Sequence, residues 1–179
     1  MPRIPYLPAD VAEPSDVVAA IRQRRGGALL NLDRMLLHSP SLARGWNAFL
    51  GEVRSNLALP PKLRELAMCV VAVLNGADYE FHHHAPEFMK AGGTAAQITA
   101  LADPQRAVRN DSLFDTAERA TIRLSIDMSN EVQVSDLSFQ AARMALPDHR
   151  QLVELVGVIA AYNMVSRFLV ALAIEPESR

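Results

Sequence analysis

Apolar residues in this chain recur at three- and four-residue spacing, as in Leu42, Trp46, Phe49, Leu50 and Val53, and no stretch sustains the alternation of a strand. The pattern predicts an all-α fold. Residues 1–14 carry prolines at 2, 5, 8 and 14, which block both helix and ladder hydrogen bonding, so they read as an extended N-terminal arm of the kind that often lies on a neighbouring subunit. A helix capped by Ser15 runs to about Arg25 and stops at Gly26-Gly27. A short one carries Leu29 to Leu37, and Ser39-Pro40 starts the next, with a capping side chain before a proline suited to the first turn. Pro60-Pro61 opens a central helix over about 61 to 74. From 66 to 74 that helix has no charge, the signature of an element enclosed on nearly all sides. After the Asn75-Gly76 break, helix resumes near Ala77 and runs toward Gly92-Gly93, with Pro86 set to kink or restart it. Capping boxes at Thr94/Gln97, Asp115/Glu118 and Asp148/Gln151 open three more helices, and Ser135 caps another. The result is a single helical domain over 15–179 of about eight or nine helices.

Composition narrows the function classes. With 18 Lys and Arg against 20 Asp and Glu the net charge is −2, and no basic block extends beyond Arg22, Arg24 and Arg25, so nucleic acid has no electrostatic footprint here. Half the residues are hydrophobic, more than a lone monomer of 179 residues needs, which implies apolar surface buried between subunits. The single cysteine, Cys69, excludes an internal disulfide, and the proline-rich start has no apolar signal core; a cytoplasmic location follows. The segment 152–174 is long and apolar enough to raise a membrane helix, but Glu154, Asn163, Ser166 and Arg167 interrupt it, so it reads as a buried helix of an oligomer with no membrane partner.

Polar chemistry is concentrated where the uncharged run ends, in the stretch from Ala77 to His84. On a helix from 77 onward Glu80 and His84 are i,i+4 neighbours, and His83 lies at the edge of the same face, one turn after Tyr79. Glu65 stands in the preceding helix beside Lys62 and Arg64. A carboxyl half-buried near a histidine has the perturbed proton affinity that general acid–base chemistry uses. The alternative is an ordinary surface Glu80–His84 pair, with Glu65 paired to Lys62 or Arg64. Glu80-Phe81-His82-His83 contains one Glu-x-x-His unit, but the second copy that di-iron bundles use is missing and three consecutive histidines cannot face one way, so no native metal and no cofactor is expected. Cys69, in the middle of the apolar run, reads as a small hydrophobe. Asn163 and Arg167, i,i+4 neighbours on the last helix, either satisfy each other or let Arg167 hold an anion.

Several of these segments together resemble the carboxymuconolactone decarboxylase family, within the superfamily of the alkylhydroperoxidase D (AhpD) proteins. They are Ser39-Pro40-Ser41-Leu42 with Trp46, the run from Leu59 to Leu66, Tyr79-Glu80-Phe81 with His84, Ala91-Gly92-Gly93, and the end from Glu154-Leu155 through Tyr162-Asn163-Met164 to Arg167. The resemblance implies an AhpD-like helical fold and an obligate homo-oligomer, from dimer to hexamer. In the peroxidase branch the pattern is Glu, eleven residues, then Cys-x-x-Cys-x-x-x-His. Laid on this chain it puts the acid at Glu65 and the histidine at His84, but Ala77 and Glu80 stand where the thiols would be. The resemblance therefore implies the cysteine-free branch and a cofactor-independent acid–base enzyme, a carboxy-lyase acting on a small organic acid or lactone. Glu65, Glu80 and His84 are its expected catalytic residues, and Tyr79, His83 and Arg167 the expected substrate contacts. The competing readings are a thiol peroxidase and a non-catalytic oligomeric binding protein.

Overall fold

The computed structural model describes residues 1–177; positions 178 and 179, at the end of the expected 15–179 range, lie outside the described residues. Among those described, there are ten α-helices and no strand. In chain order they are α1 (Ser15–Arg25), α2 (Asn31–Leu36), α3 (Pro40–Ser55), α4 (Pro61–Leu74), α5 (Asp78–Lys90), α6 (Ala95–Ala100), α7 (Pro104–Ala107), α8 (Thr116–Asn130), α9 (Asp136–Ala145) and α10 (His149–Leu172). The all-α expectation holds, and the count exceeds eight or nine by α7. That element is a single turn, capped by the Asp103 carboxylate on the Arg106 N–H with Pro104 behind it, and four residues are too few to show an apolar period. Pro86 neither ends nor restarts α5, which continues through it.

Several caps match the sequence expectation and several differ. The boxes at Thr94/Gln97 and Asp115/Glu118 form, and Ser135 accepts from the Ser138 N–H. Asp148 instead accepts from the Arg150 N–H, because the Gln151 side chain donates to the Ala58 carbonyl. Ser15 is the first helical residue rather than the cap of α1; Pro14 occupies the cap and Glu13 accepts from the Ser15 N–H.

The chain divides into two compact units. The first comprises Met1–Asn56 and the chain from Leu169 onward. Its helices bury Val17, Val18 and Ile21 of α1, Leu32, Met35 and Leu36 of α2, and Ala43, Leu50 and Val53 of α3. Asp33, nearly inaccessible, is ion-paired to Arg25 at 3.0 Å. The arm over 1–14 is without helix or strand and lies on its own chain. Its carbonyls, left without ladder partners, are collected by side chains: Arg34 donates to Leu7 at 2.5 Å, Arg22 to Ala9 at 3.1 Å and to Val11 at 3.2 Å, and His38 Nε2 is 2.9 Å from the Pro5 carbonyl.

The second unit, Leu57–Phe168, holds α4 to α9 and most of α10. Its core gathers Leu66, Cys69 and Val70 of α4, Phe88 of α5, Leu101, Ala107, Phe114, and Ile122 and Ile126 of α8. The end of α5 is shaped by that core. Gly92, at φ 101°, takes the left-handed position that terminates the helix, and the Gly93 N–H returns to the Phe88 carbonyl at 2.9 Å. A Cβ on Gly93 would come within 2.3 Å of the Phe88 ring, which is fully enclosed and has nowhere to retreat. Gly93→Ala is therefore expected to destabilise the protein by about 1–3 kcal/mol, the usual cost of overpacking. Urea unfolding reads this directly, and an unchanged midpoint would mean that Phe88 repacks at no cost.

Candidate active site

The site is built on three helices of the second unit. α4 begins at Pro61, where the missing N–H costs nothing, and its apolar residues from Leu63 to Ala72 are buried on almost every side. Glu65, only 5% exposed, is the acidic residue in that run. α5 presents Glu80, His84 and Phe88 at i, i+4 and i+8 on its buried face, so one stripe passes from polar chemistry into the core. α10 supplies Tyr162, fully enclosed, and Asn163.

These helices bring together a hydrogen-bonded row. Arg64 Nε donates to Glu65 Oε1 at 3.1 Å, Glu65 Oε2 lies 2.7 Å from His84 Nδ1, and His84 Nε2 lies 3.0 Å from the Tyr162 hydroxyl. The His84 and Tyr162 rings meet edge to face, 4.9 Å between centroids. Burial alone would raise the proton affinity of Glu65. The hydrogen bond and charge of His84, with Arg64 beside them, outweigh it and hold the carboxyl below the usual carboxylate range. An ionised Glu65 accepts from Nδ1–H and so fixes how the imidazole ring is turned.

The expected residues divide by position. Glu65 and His84 are directly bonded, and Glu80 lies one turn before His84, 2% exposed. His84 thus takes its carboxylate at Nδ1 from α4, across two helices, rather than only from its i−4 neighbour. Lys62, one of the cations near Glu65 in sequence, pairs with Glu118 at 2.6 Å, in a cluster that Gln97 joins at 3.1 Å. Tyr79 and His83 form a tilted ring pair 4.5 Å apart. Arg167 donates to the Asn163 carbonyl at 2.9 Å and to its side chain at 2.6 Å, one of the two arrangements open to that pair from the sequence. Among the described residues no three of His, Cys, Asp and Glu converge as a metal-binding group.

Tyr162 is the member of the row that sequence reasoning left without a role. Its signal was present: a phenol in an otherwise apolar helix must find a partner when buried, and a histidine is a suitable one. Cys69 is fully enclosed, and burial together with the charges of Glu65 and Glu80 pushes its thiol far above the ordinary range. Burial thus disfavours the thiolate form on which a nucleophilic cysteine depends.

The carboxymuconolactone decarboxylase family model matches residues 40–111. Solved structures share the fold. An uncharacterized peroxidase-related protein with an alkylhydroperoxidase AhpD core, from Ralstonia eutropha JMP134, superposes with a TM-score of 0.82 at 18% identity, covering 99% of this chain and 93% of its own. An uncharacterized peroxidase-related protein from Silicibacter sp. TM1040 gives 0.81 at 17% identity over 99% and 94%. The debrominase Bmp8, as a cysteine-to-alanine variant in complex with 2,3,4-tribromopyrrole, gives 0.75 at 16% identity over 97% and 91%. No curated protein matches the sequence. Residues 40–111 thus match the carboxymuconolactone decarboxylase family model, and the chain has the helical fold of the structures with an AhpD core.

A consequence for stability follows from Glu65. Its folded-state proton affinity lies below that of the unfolded chain, so its contribution is complete above the ordinary carboxylate range and is lost as pH falls through the folded value. Glu65→Gln, nearly isosteric, should cost about 1–3 kcal/mol at pH 7, the range for a hydrogen bond to a charged group. The gap to the natural protein should narrow below roughly pH 4–5, where unfolded carboxylates titrate. Urea unfolding of both proteins at several pH values tests this, and a pH-independent gap would show that Glu65 is not ionised in the pair.

Proposed function

We propose that this protein is a cytoplasmic, cofactor-independent acid–base enzyme, a carboxy-lyase or proton-transfer enzyme for a small organic acid or lactone. The observation that carries the reading is the buried 2.7 Å contact between Glu65 and His84. An imidazole held by an ionised carboxylate is a proton carrier of fixed orientation. Loss of carbon dioxide from an activated lactone acid leaves an extended enolate, and a nearby acid must protonate its carbon. His84 is that acid, Glu65 orients it, and Glu80 on the same stripe adjusts the local charge. Arg64 offsets the negative charge of Glu65, which eases the approach of an anionic substrate. Tyr79, His83 and the exposed guanidinium of Arg167 line the substrate side in this reading. Val153, Ala160 and Met164 form an exposed apolar line along α10, which supports self-association as a homo-oligomer.

The name of the family whose model matches residues 40–111 supports the reaction class; the peroxidase-related names of structural neighbours support a thiol route. The chain's own thiol stands against the latter. Peroxide consumption with a dithiol reductant is expected to stay at background, and Cys69→Ser to leave any turnover of the natural protein unchanged; peroxide turnover abolished by Cys69→Ser would reverse the reading. The direct test is the ultraviolet decay of γ-carboxymuconolactone. Turnover should fall by about 10²–10⁴-fold in His84→Ala, the usual worth of a positioned acid or base, with Glu80→Gln also impaired. If neither substitution alters any turnover or ligand affinity, the protein is a binding module instead.

A further inference from the structure

Both ring nitrogens of His84 are engaged in the structure: Nδ1 by Glu65 and Nε2 by Tyr162. The two partners differ in what they permit. An ionised carboxylate only accepts, so Nδ1 keeps its proton throughout. A phenol both donates and accepts. Tyr162 can therefore donate to Nε2 when the imidazole is neutral and accept from Nε2–H when it is charged, with no side chain moving in either case. An amide at this place would have to flip, and an ammonium would serve the neutral ring alone.

The setting of Tyr162 fits that task. Its next residue, Asn163, is tied on three sides: its amide donates to Ser129 Oγ and to the Ile159 carbonyl at 3.0 Å each, and its oxygen accepts from Asn75 Nδ2 at 3.0 Å. Asn75 caps the end of α4 and also donates to Ser166 Oγ at 2.7 Å. These bonds fix the register of α10 against the helix that carries Glu65. The Tyr162 hydroxyl is thereby held at a set height beside His84.

We propose that Tyr162 is a positioning residue for the acid–base site: it holds His84 Nε2 in the resting protein and follows that nitrogen through its change of protonation. This rests on the acid–base reading of Glu65 and His84, and it adds to that pair a third residue that positions the imidazole. When His84 delivers its Nε2 proton to the enolate carbon of the substrate, the vacated Nε2 lone pair accepts from the Tyr162 hydroxyl, which rotates from acceptor to donor; when Nε2 takes a proton back from water, the hydroxyl rotates back. No bond other than hydrogen bonds is made or broken at Tyr162.

The experiment is nitrogen NMR of the full-length protein labelled with ¹⁵N-histidine, with the His84 signals identified by their loss in His84→Gln. In Tyr162→Phe, the Nε2 resonance of His84 is expected to move while Nδ1 stays protonated. The variant should retain the natural helical circular dichroism. Its γ-carboxymuconolactone turnover should fall at least tenfold in kcat with KM little changed. To guard against a fold defect, the natural sequence is also produced with 3-fluorotyrosine, whose more acidic phenol should shift the same Nε2 signal without removing any atom of the contact. An Nε2 resonance unmoved in both proteins overturns the proposal, as does a Tyr162→Phe variant with natural kcat. If the natural protein turns over no lactone, the acid–base reading fails on its own while the NMR comparison still decides whether Tyr162 holds His84.

Discussion

A carboxylate inside an apolar helix has to be matched by partners, because an uncompensated charge taken out of water costs several kcal/mol even after relaxation. Glu65 imposes that condition on the second unit. α4 is otherwise buried hydrocarbon, so the matching groups must arrive from its own preceding residue or from other helices. Arg64 provides one and His84 of α5 the other. The imidazole in turn needs something at its far nitrogen, which brings in α10 through Tyr162. One ionised group thus accounts for how three helices are placed around a common polar line within an apolar core.

The same backbone positions lack the two thiols of the peroxidase-branch pattern. Ala77 sits at the N-cap of α5, where the helix dipole would lower the pKa of a cysteine and favour its thiolate. Ala77 has no ionisable group, and Glu80 places a second carboxyl where the pattern of the peroxidase branch has its other thiol. Two carboxyls near Cys69 make thiolate formation there harder still. What the arrangement holds ionised is the Glu65 carboxylate rather than a thiolate. The polar groups brought together here are carboxylates, an imidazole and a phenol, with no thiolate among them.

Much of the fold was legible because its signals are local. The start of α4 at Pro61, its end at Asn75 and the boxes at Thr94 and Asp115 each depend on residues within one turn. The features that local signals do not reach depend on distance. Asp148 loses its expected partner because Gln151 is drawn to Ala58, some ninety residues earlier in the chain. Glu65, Glu80 and His84 were all named from the sequence; helical spacing links Glu80 to His84, whereas the 2.7 Å bond between His84 and Glu65 crosses from α4 to α5, which no local spacing shows. Tyr162 was harder still, since it is 78 residues from His84 and no periodicity links them. Local chemistry identifies which residues need partners; only the packing of helices says which partners they find.

α10 shows why that distinction matters for function. By length and by a mean hydropathy of 1.8 over an 18-residue window it could cross a bilayer, yet half of that window is buried within the protein, as in the core helix of a globular fold. The difference lies in four residues that hydropathy averages away. Tyr162, Asn163, Ser166 and Arg167 stand on consecutive turns, and each is bonded to a group of the protein: His84, Ser129, Asn75 and Asn163 itself. In hydrocarbon these groups would each demand a partner from within the membrane. Here they find partners on α4, α5 and α8, and the bonds that satisfy them also set where the Tyr162 hydroxyl stands. Asn163 and Ser166, two of the polar interruptions of this apolar helix, are thus bonded beside the Tyr162 that connects α10 to His84.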